Sequence, residues 1–438
     1  MKTLFTGALL LPCTPDMPII PGGWLLVDGD RIAALGAGPA PQAEGALVVD
    51  VGGDVVMPGM VNPHTHLAMS LFRGLGEDVD DRLYRYILPL EREFVTPDMV
   101  RAGTALSALE SIMGGVTTVA DMYYFETEVA AVLDACGLRA VVGQTLADFA
   151  PPDHRTWDEG FARVDDLVAA YRDHPRITPS IAPHAPYSTG AAVMERVARW
   201  ADDHPGLPIQ MHVGETDAEN DWAARQGLTP VQAVDRAGLL RPGLVCAHSL
   251  HVSPDDIDRM AQAGVGVAHN ARANGKAGRG IAPVVAMRAA GIPVGISTDG
   301  PMSGNTLDLF AQFGPVSMFQ KLAGHSRKPM PSVEVIRMAT LEGARVLGLD
   351  ARVGSLAVGK QADLIRISLD APRLHPVYDI YATLVFSAMA PDVRDVMVAG
   401  QWVLRDRQVM TMDRAKVMAD ASQIAGRFRR KMAQIDAG

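Results

Sequence analysis

The feature that most constrains the fold is a regular alternation of short apolar runs and helical segments between residues 58 and 351. Strand–helix alternation of this kind is typical of a parallel sheet whose strands are joined by crossover helices. A first strand ends at His64, and the further predicted strands are 115–121, 139–145, 176–182, 208–213, 244–247, 264–268 and 292–298. The predicted helices are 97–113, 157–172, 191–202, 230–237, 254–263 and 282–290. Eight such units predict an α/β protein built on a (β/α)8 TIM barrel.

The two ends of the chain have a different sequence pattern: short apolar runs alternate with turns, as in a small β domain. A long insertion, residues 70–93, follows the first barrel strand and is long enough to form a lid. The predicted domains are a discontinuous β-sandwich from residues 1–57 and 352–413, the barrel from 58–351, and a C-terminal helix from 414–438.

Composition excludes several classes of function. The chain is 48% hydrophobic and 21% charged, as expected of a soluble protein with a sizeable core. A net charge of −10 argues against a nucleic-acid polymer as partner. No apolar run approaches the ~18 residues of a membrane helix, and the short N-terminal apolar run is interpreted as a strand rather than a signal peptide. Cys13, Cys136 and Cys246 are scattered without a pairing pattern, which favours a reduced, cytoplasmic protein.

Two histidines, His64 and His66, lie where the first barrel strand ends. Residues two apart on a strand face the same side, so both imidazoles can reach one ion. Imidazole is a good ligand for zinc and similar metals. Taken alone, the pair is better explained as two partly exposed histidines at a strand end.

Further polar residues follow the other predicted strands, and their shared position changes this interpretation. Functional residues of (β/α)8 barrels lie at the C-terminal ends of the strands. Any one such residue is more simply structural, but a set of them around one barrel mouth predicts a metal site. From the fourth strand to the eighth, these residues are His184, His212 with Glu215, His248, His269 and Asp299.

This pattern resembles the amidohydrolase superfamily over nearly the whole chain. The matching motifs occur in order: Pro-Gly-Met-Val-Asn-Pro-His64-Thr-His66, His212-Val-Gly-Glu215, Ala-His248 and Ser-Thr-Asp299-Gly. The β domain fits as well, through Gly-Lys-Gln-Ala-Asp363-Leu.

The absence of one lysine distinguishes between binuclear and mononuclear members of that superfamily. Binuclear members usually bridge two metals with a carboxylated lysine at the end of the fourth strand, but no lysine occurs between Lys2 and Lys276. The resemblance therefore implies a mononuclear site of the deaminase kind, holding Zn²⁺, with Fe²⁺ or Mn²⁺ as alternatives. The implied ligands are His64, His66, His212 and Asp299.

Deamination chemistry then assigns the catalytic roles. The metal lowers the pKa of its bound water, and the resulting hydroxide attacks a carbon that bears an amino group. Glu215 shuttles protons to the ring nitrogen and to departing ammonia, unless it is simply a solvated loop glutamate. His248 orients the hydroxide or stabilises the intermediate. Asp299 serves both as ligand and as acceptor of the water proton.

Within the superfamily, the chain most closely resembles the S-adenosylhomocysteine/5′-methylthioadenosine deaminases and their triazine-hydrolase relatives. Supporting motifs include Ile-Leu-Pro-Leu-Glu91 and Ala-Pro-His184-Ala-Pro-Tyr. The resemblance implies that Glu91 binds the ribose diol and that His184 contacts substrate. Alternatively, Glu91 is a surface residue of a lid helix and His184 only supports the ligands.

Two segments depart from the family pattern. Arg82 stands where the lid usually carries a tryptophan, and residues 269–276 differ from the usual loop after the seventh strand. Arg82 and Arg272 either bind an anionic or carbonyl-rich substrate or are exposed arginines with no specific role.

These observations predict an aminohydrolase that deaminates adenosine-type nucleosides: S-adenosylhomocysteine, 5′-methylthioadenosine or adenosine. The alternative within enzymes is a deaminase or hydrolase of another heterocycle, namely guanine, a pterin, a cytosine-like base or an s-triazine, including dechlorination or N-dealkylation. A non-catalytic barrel is a third hypothesis, which the complete ligand set disfavours. The expected partner is a small heterocyclic molecule, without nucleic acid or membrane, and the resemblance implies a homo-oligomer.

Overall fold

The structure is a computed structural model, and it describes residues 2–79 and 82–437. Asp80 and Asp81 of the predicted lid lie outside the described residues. The same is true of Met1 and Gly438, the terminal residues of the predicted β domain and of the predicted C-terminal helix.

The described residues form strands and α-helices in the following order. The strands are β1 Lys2–Leu10, β2 Ile20–Asp28, β3 Arg31–Gly36, β4 Leu47–Asp50, β5 Val55–Pro58, β6 Met60–Thr65, β7 Val116–Tyr123, β8 Arg139–Leu146, β9 Ile177–Pro183, β10 Ile209–Val213, β11 Leu244–His248, β12 Gly266–His269, β13 Val294–Ile296, β14 Leu364–Ile367, β15 Val393–Val398, β16 Gln401–Arg405 and β17 Gln408–Val409. The α-helices are α1 Leu88–Phe94, α2 Pro97–Met113, α3 Glu126–Cys136, α4 Trp157–Tyr171, α5 Pro186–Thr189, α6 Ala191–Asp203, α7 Asp217–Ala224, α8 Pro230–Arg236, α9 Pro254–Ala263, α10 Ala271–Lys276, α11 Val284–Ala289, α12 Pro301–Gly304, α13 Phe310–Ala323, α14 Ser332–Arg337, α15 Gly343–Val346, α16 Ile380–Phe386 and α17 Arg414–Ala437.

The central sheet confirms the predicted barrel. Within residues 2–79 and 82–437, it has eight parallel strands, β6 to β13, in sequential order. Their residues are almost all buried because helices cover the outside and side chains fill the inside. All eight predicted strands correspond to strands of this sheet.

Side chains join the first and last strands of the barrel. Asn62 on β6 donates from Nδ2 to Thr298 Oγ1 at 2.8 Å, and its Oδ1 accepts from Thr298 N at 3.2 Å. These two hydrogen bonds link β6 to the segment that directly follows β13. They also bring Asp299, the next residue, beside the end of β6.

The predicted helices are present with small differences at their ends. Helices α2, α4 and α9 begin after Thr96, Thr156 and Ser253, whose hydroxyls accept from backbone amides of the first turn. Helix α11 is shorter than the predicted 282–290. The reason is Pro283, which disfavours helical geometry at the preceding residue, so regular helix starts only at Val284.

The two chain ends form a second sheet, with nine strands among the described residues, in which β14 pairs with β5. Four inter-strand spacings separate β1 from β16, about 19 Å in a flat sheet. Nevertheless, the rings of Phe5 on β1 and Trp402 on β16 lie only 5.7 Å apart, so the sheet folds over onto itself. A separate apolar cluster fills the fold, which makes this unit a β-sandwich built from both chain ends. The boundaries given above for each domain stay predictions.

The insertion after β6 packs against the loops at the barrel mouth. It contains a 3₁₀ helix, Leu67–Phe72, a π-helical turn, Leu83–Ile87, and helix α1. Phe72 lies against Phe428 of α17, with ring centroids 4.8 Å apart. In the part of the chain that the structure describes, no helix has the length and apolarity needed to cross a membrane.

Candidate metal centre

The C-terminal ends of the barrel strands bring the four predicted metal ligands together. His64 is the penultimate residue of β6, His66 follows the strand, His212 lies on β10, and Asp299 follows β13. Asp299 Oδ1 is 3.7 Å from His64 Nε2 and 3.3 Å from His66 Nε2. The His212 and His66 Nε2 atoms are 3.3 Å apart. All four side chains are buried or nearly so.

Backbone carbonyls fix which ring nitrogens carry hydrogen. His66 Nδ1 lies 2.7 Å from Met122 O, and His212 Nδ1 lies 2.8 Å from His184 O. A carbonyl oxygen can only accept, so both Nδ1 atoms donate. In the neutral rings, the lone pairs are then on the two Nε2 atoms, which face each other at 3.3 Å. Two facing lone pairs repel each other, so a proton or a metal ion on these nitrogens stabilises the arrangement.

The electrostatics of the cluster suit a cation. Burial lowers the pKa of His64 to about 4 and that of His212 well below its usual value, so both rings are neutral and able to bind a metal. Burial also acts to lower the pKa of His66, but the hydrogen bond and charge of Asp299 outweigh it and raise that pKa to about 9. A metal ion competes with this proton for the same place.

The donor set fits zinc. His64, His66 and Asp299 offer ligand atoms within 4.8 Å of one another, and His64, His212 and His248 form an overlapping group with the same limit. Among the described residues, His64 Nε2 is buried without a hydrogen-bond partner. Several imidazoles and one carboxylate around one point form a typical catalytic zinc site.

Glu215 and His248 lie next to the ligands. His248 Nδ1 donates to Asn274 Oδ1 at 2.8 Å, which leaves Nε2 to face Glu215. This Nε2 is 3.6 Å from Glu215 Oε1. The Arg279 guanidinium also contacts Glu215. Burial acts to raise the pKa of Glu215, but the charges of His248 and Arg279 outweigh it, so the pKa lies below its usual value.

Two residues of the centre have left-handed backbone geometry. His248 has φ of 72° and Asp299 has φ of 59°, a region that residues other than glycine rarely occupy. Asp299 Oδ1 also accepts from the backbone N–H of Gly300 at 2.6 Å. Strained geometry of this kind persists where surrounding contacts hold a functional side chain.

The two predicted substrate residues from the lid and the fourth strand also have defined partners. Glu91 Oε1 accepts from the Tyr123 hydroxyl at 2.7 Å. His184 Nδ1 lies 2.7 Å from Ser188 Oγ, and its ring packs edge-on against Phe149 with centroids 4.9 Å apart. Burial lowers the pKa of His184 to about 4, so the ring is neutral.

The two predicted substrate arginines bind backbone carbonyls of the loop after β13. Arg82 Nη2 donates to Met302 O at 3.0 Å, and Arg272 Nε donates to Gly304 O at 2.9 Å. Lys276 adds a link from the same side, because its Nζ lies 2.6 Å from Glu77 of the insertion. These contacts tie the insertion and the loop after β12 to the loop after β13. A role for either arginine in substrate binding stays a prediction.

Sequence reasoning missed the residues that support the site from loops. Asn274 orients His248, Arg279 contacts Glu215, and Tyr123 bonds Glu91. Glu219 accepts from the amides of the loop that carries Glu215. The sequence gives only a weak indication of these residues. Glu219 and Arg279 are polar residues near the predicted site, but nothing in their spacing identifies a partner.

Comparisons with known proteins agree with this geometry. The model of the amidohydrolase family matches residues 55–403. A 5-methylthioadenosine/S-adenosylhomocysteine deaminase of Syntrophobacter fumaroxidans is 38% identical over 428 residues, which cover 96% of this chain and 97% of the relative. The crystal structure of an adenosine deaminase from Xanthomonas campestris with bound zinc matches with a TM-score of 0.94 at 34% identity, over 98% of each chain.

A more distant structure shares the fold. The atrazine chlorohydrolase of Arthrobacter aurescens, complexed with zinc, matches with a TM-score of 0.89 at 21% identity over 97% of this chain and 100% of that one. The motifs in barrel order, the convergent ligands and the match over most of the chain lead to one assignment. This chain belongs to the amidohydrolase family.

Proposed function

We propose that this chain is a zinc-dependent aminohydrolase that removes the amino group from the purine of adenosine-type nucleosides, with 5′-methylthioadenosine and S-adenosylhomocysteine as the first candidates. The observation that carries the proposal is the convergence of three imidazoles and Asp299 beside the pair formed by Glu215 and His248. The names of relatives at 34–38% identity over most of the chain support the same reaction.

His64, His66, His212 and Asp299 would hold the metal. When bound, zinc supplies a water of lowered pKa that serves as nucleophile near neutral pH. The low pKa values of His64 and His212 keep these rings neutral without help from the metal. Their lone pairs are therefore available across the physiological range of pH.

Glu215 is suited to move protons. Its pKa lies below the usual value, so Oε1 can accept a proton from the attacking water at neutral pH. The glutamate then delivers this proton to the ring nitrogen beside the reacting carbon. A second proton, taken from the hydroxyl that has added to that carbon, passes through the same carboxylate to the amino group, so that the C–N bond breaks as the carbonyl forms. The amino group must leave as ammonia, which requires such a donor.

His248 is suited to orient the water. Because Nδ1–H is engaged by Asn274, Nε2 can only accept in the neutral ring. A hydrogen bond from the water to Nε2 would fix the direction of attack. Asp299 supplies a second acceptor for the same water.

On the substrate side, Glu91 and His184 offer acceptors. Glu91 keeps lone pairs for the ribose hydroxyls beyond the one that Tyr123 engages. The Ser188 hydroxyl donates to Ala185 O at 3.3 Å and therefore accepts from His184 Nδ1–H, so that Nε2 carries the lone pair and can accept from an N–H or O–H group of the substrate.

An ammonia-release screen tests the proposal. The panel is adenosine, 5′-methylthioadenosine, S-adenosylhomocysteine, guanine, a pterin, cytosine and an aminotriazine. We expect the highest kcat/KM among the adenosine derivatives, and a decrease in ammonia release of about 10²- to 10⁴-fold in Glu215→Gln with zinc content unchanged. Activity confined to guanine, pterin or triazine would favour the alternative heterocycle hydrolase and overturn the nucleoside assignment.

We further propose that the chain forms a homo-oligomer and works in the cytoplasm. The resemblance to the family supports the first statement, and three buried, unpaired cysteines support the second. Analytical ultracentrifugation tests the oligomer, and a single monomeric species at micromolar concentration would contradict it.

A further inference from the structure

We propose that Glu219 is a positioning residue that holds the peptide carrying Glu215 in its working orientation. This inference rests on the proposed function, since Glu215 matters here as the proton shuttle. Glu219 bonds the backbone of its neighbours, and it acts on the chemistry only through the peptide that carries Glu215.

The contact is made by both oxygens of one buried carboxylate. Glu219 Oε1 accepts from the backbone N–H of Gly214 at 2.9 Å, and Oε2 accepts from the backbone N–H of Glu215 at 2.8 Å. The residue is only 1% exposed. Two charge-assisted hydrogen bonds to consecutive amides fix the plane and direction of the peptide between them.

Helix capping accounts for only part of this arrangement, since the N-cap amide of Thr216 also acts on the Glu219 carboxylate. Thr216 is the N-cap of α7, and its hydroxyl accepts from Glu219 N at 3.1 Å. A capping-box side chain at this position bonds the N-cap amide, which here is that of Thr216. The Glu219 carboxylate reaches beyond it to the two preceding amides, which belong to the loop between β10 and α7.

The opposite side of the same loop is also fixed. Gly214 O accepts from Leu250 N at 2.8 Å and from His251 N at 2.9 Å. Gly214 has φ of +65°, and a Cβ atom there would lie 3.1 Å from His251 O, so the turn suits only glycine. The loop is thus held between the segment after β11 and the Glu219 carboxylate, and its path is closely defined.

This path decides what Glu215 can reach. Its carboxylate lies 3.6 Å from His248 Nε2, a distance that a small rotation of the peptide would change. A displacement of about 1 Å at a reacting group commonly costs about 100-fold in rate. Burial raises the pKa of Glu219 to about 7, although the backbone amides of Glu215, Gly214 and Thr216 act to lower it.

A double-mutant cycle tests the proposal. The variants are Glu219→Gln, Glu215→Gln and their combination, assayed on the amino heterocycle that the wild type deaminates best. Glutamine keeps the shape of the side chain, but its NH2 group, which is a donor, faces one of the two backbone N–H donors. The matched control is Asp217→Asn, which removes a charge from the same helix turn at a side chain that is 95% exposed.

We expect Glu219→Gln to lower kcat by about 10- to 100-fold with KM changed less than about twofold. In the Glu215→Gln background, the same change should cost less than about twofold, because its effect passes through Glu215. Asp217→Asn should keep wild-type kcat. A Glu219→Gln enzyme with wild-type kcat would overturn the proposal. The same holds if Glu219→Gln lowers kcat by as large a factor in the Glu215→Gln background as it does in the wild type.

Hydrogen exchange gives a second measurement that needs no substrate. In Glu219→Gln, the amide hydrogens of Gly214 and Glu215 should exchange faster than in wild type, with the melting temperature within a few degrees and zinc content unchanged. Unchanged exchange at these two amides would refute the contact itself. Because this readout is independent of catalysis, it separates failure of the positioning role from failure of the proposed function.

Discussion

Tyr123 donates its hydroxyl proton to Glu91 Oε1 at 2.7 Å, and this bond joins the end of barrel strand β7 to helix α1 of the insertion. Burial and the charge of Glu91 raise the pKa of Tyr123 well above its usual value, so the hydroxyl stays a donor at any physiological pH. Burial also raises the pKa of Glu91, and the bond from Tyr123 acts in the opposite direction. Tyr123 therefore helps to keep Glu91 ionised and oriented.

We predict that Tyr123→Phe raises KM for adenosine by about fivefold, the equivalent of a lost hydrogen bond of about 1 kcal/mol, with kcat within about twofold. The effect should be smaller for 2′-deoxyadenosine, which offers Glu91 one hydroxyl fewer. Steady-state measurements of KM and kcat for the two nucleosides test this prediction. The control is Tyr124→Phe, whose ring packs beside Tyr123 at 4.9 Å. An equal change in KM for both nucleosides would contradict a role through Glu91.

The contact between Arg279 and Glu215 predicts a pH effect. Burial acts to raise the pKa of Glu215, while His248 and Arg279 lower it. Removing the cation in Arg279→Gln must therefore raise this pKa. Because ionised Glu215 accepts the proton from water, kcat/KM is lost as pH falls through its pKa in the free enzyme. The acid limb of kcat/KM should move to higher pH in the variant.

A pH series of kcat/KM for wild type and Arg279→Gln measures this shift. Arg259→Gln is the control, since Arg259 is an exposed arginine paired with Asp235 at 3.1 Å, and its profile should match wild type. An acid limb that stays in place or moves to lower pH would show that Arg279 does not act on Glu215.

Metal removal should change stability as well as activity. A ligand that binds the folded state alone stabilises it by about 2.7 kcal/mol at 100 times its Kd. We expect a chelator to abolish ammonia release and lower the melting temperature, and zinc to restore both. The His212→Ala variant should bind less than one zinc ion per chain, and adding zinc should not raise its melting temperature. A chelated protein with an unchanged melting temperature and full activity would contradict the metal site.

Much of the fold was predictable because buried parallel strands are continuous apolar runs that a sequence displays directly. The site was predictable for a related reason. His64, His212 and His248 each end such a run, and barrel topology brings strand ends together whatever the loops between them do.

The supporting residues could not be predicted in the same way. Asn274 and Arg279 lie in or just after a short helix beyond β12, and their partners His248 and Glu215 come from other units of the barrel. Glu219 has the position of a capping residue, and only the loop path reveals its bonds to two earlier amides. Each of these contacts depends on how a loop closes in space, which spacing along the chain does not encode.

A buried ion pair between the barrel and the outer sheet gives the last prediction. Arg139, the first residue of β8, donates from Nε to Asp363 Oδ2 at 2.9 Å and from Nη2 to Asp363 Oδ1 at 3.1 Å. Their side chains are 1% and 2% exposed. Asp363 Oδ1 also accepts from Ala399 N at 2.8 Å, so this aspartate joins three parts of the chain.

We expect Asp363→Asn to lower the free energy of unfolding by about 3–5 kcal/mol, because it leaves the Arg139 charge buried without a counter-charge. Asp158→Asn removes half of an ion pair with Arg196 whose aspartate is 86% exposed, and it should cost less than about 1 kcal/mol. Midpoints of denaturant unfolding measure both. The combined change Arg139→Met with Asp363→Leu should recover part of the loss, since the penalty comes from the unpaired charge. If the apolar pair is no more stable than Asp363→Asn, the cost lies in the lost hydrogen bonds to Gln361 and Ala399 rather than in the buried charge.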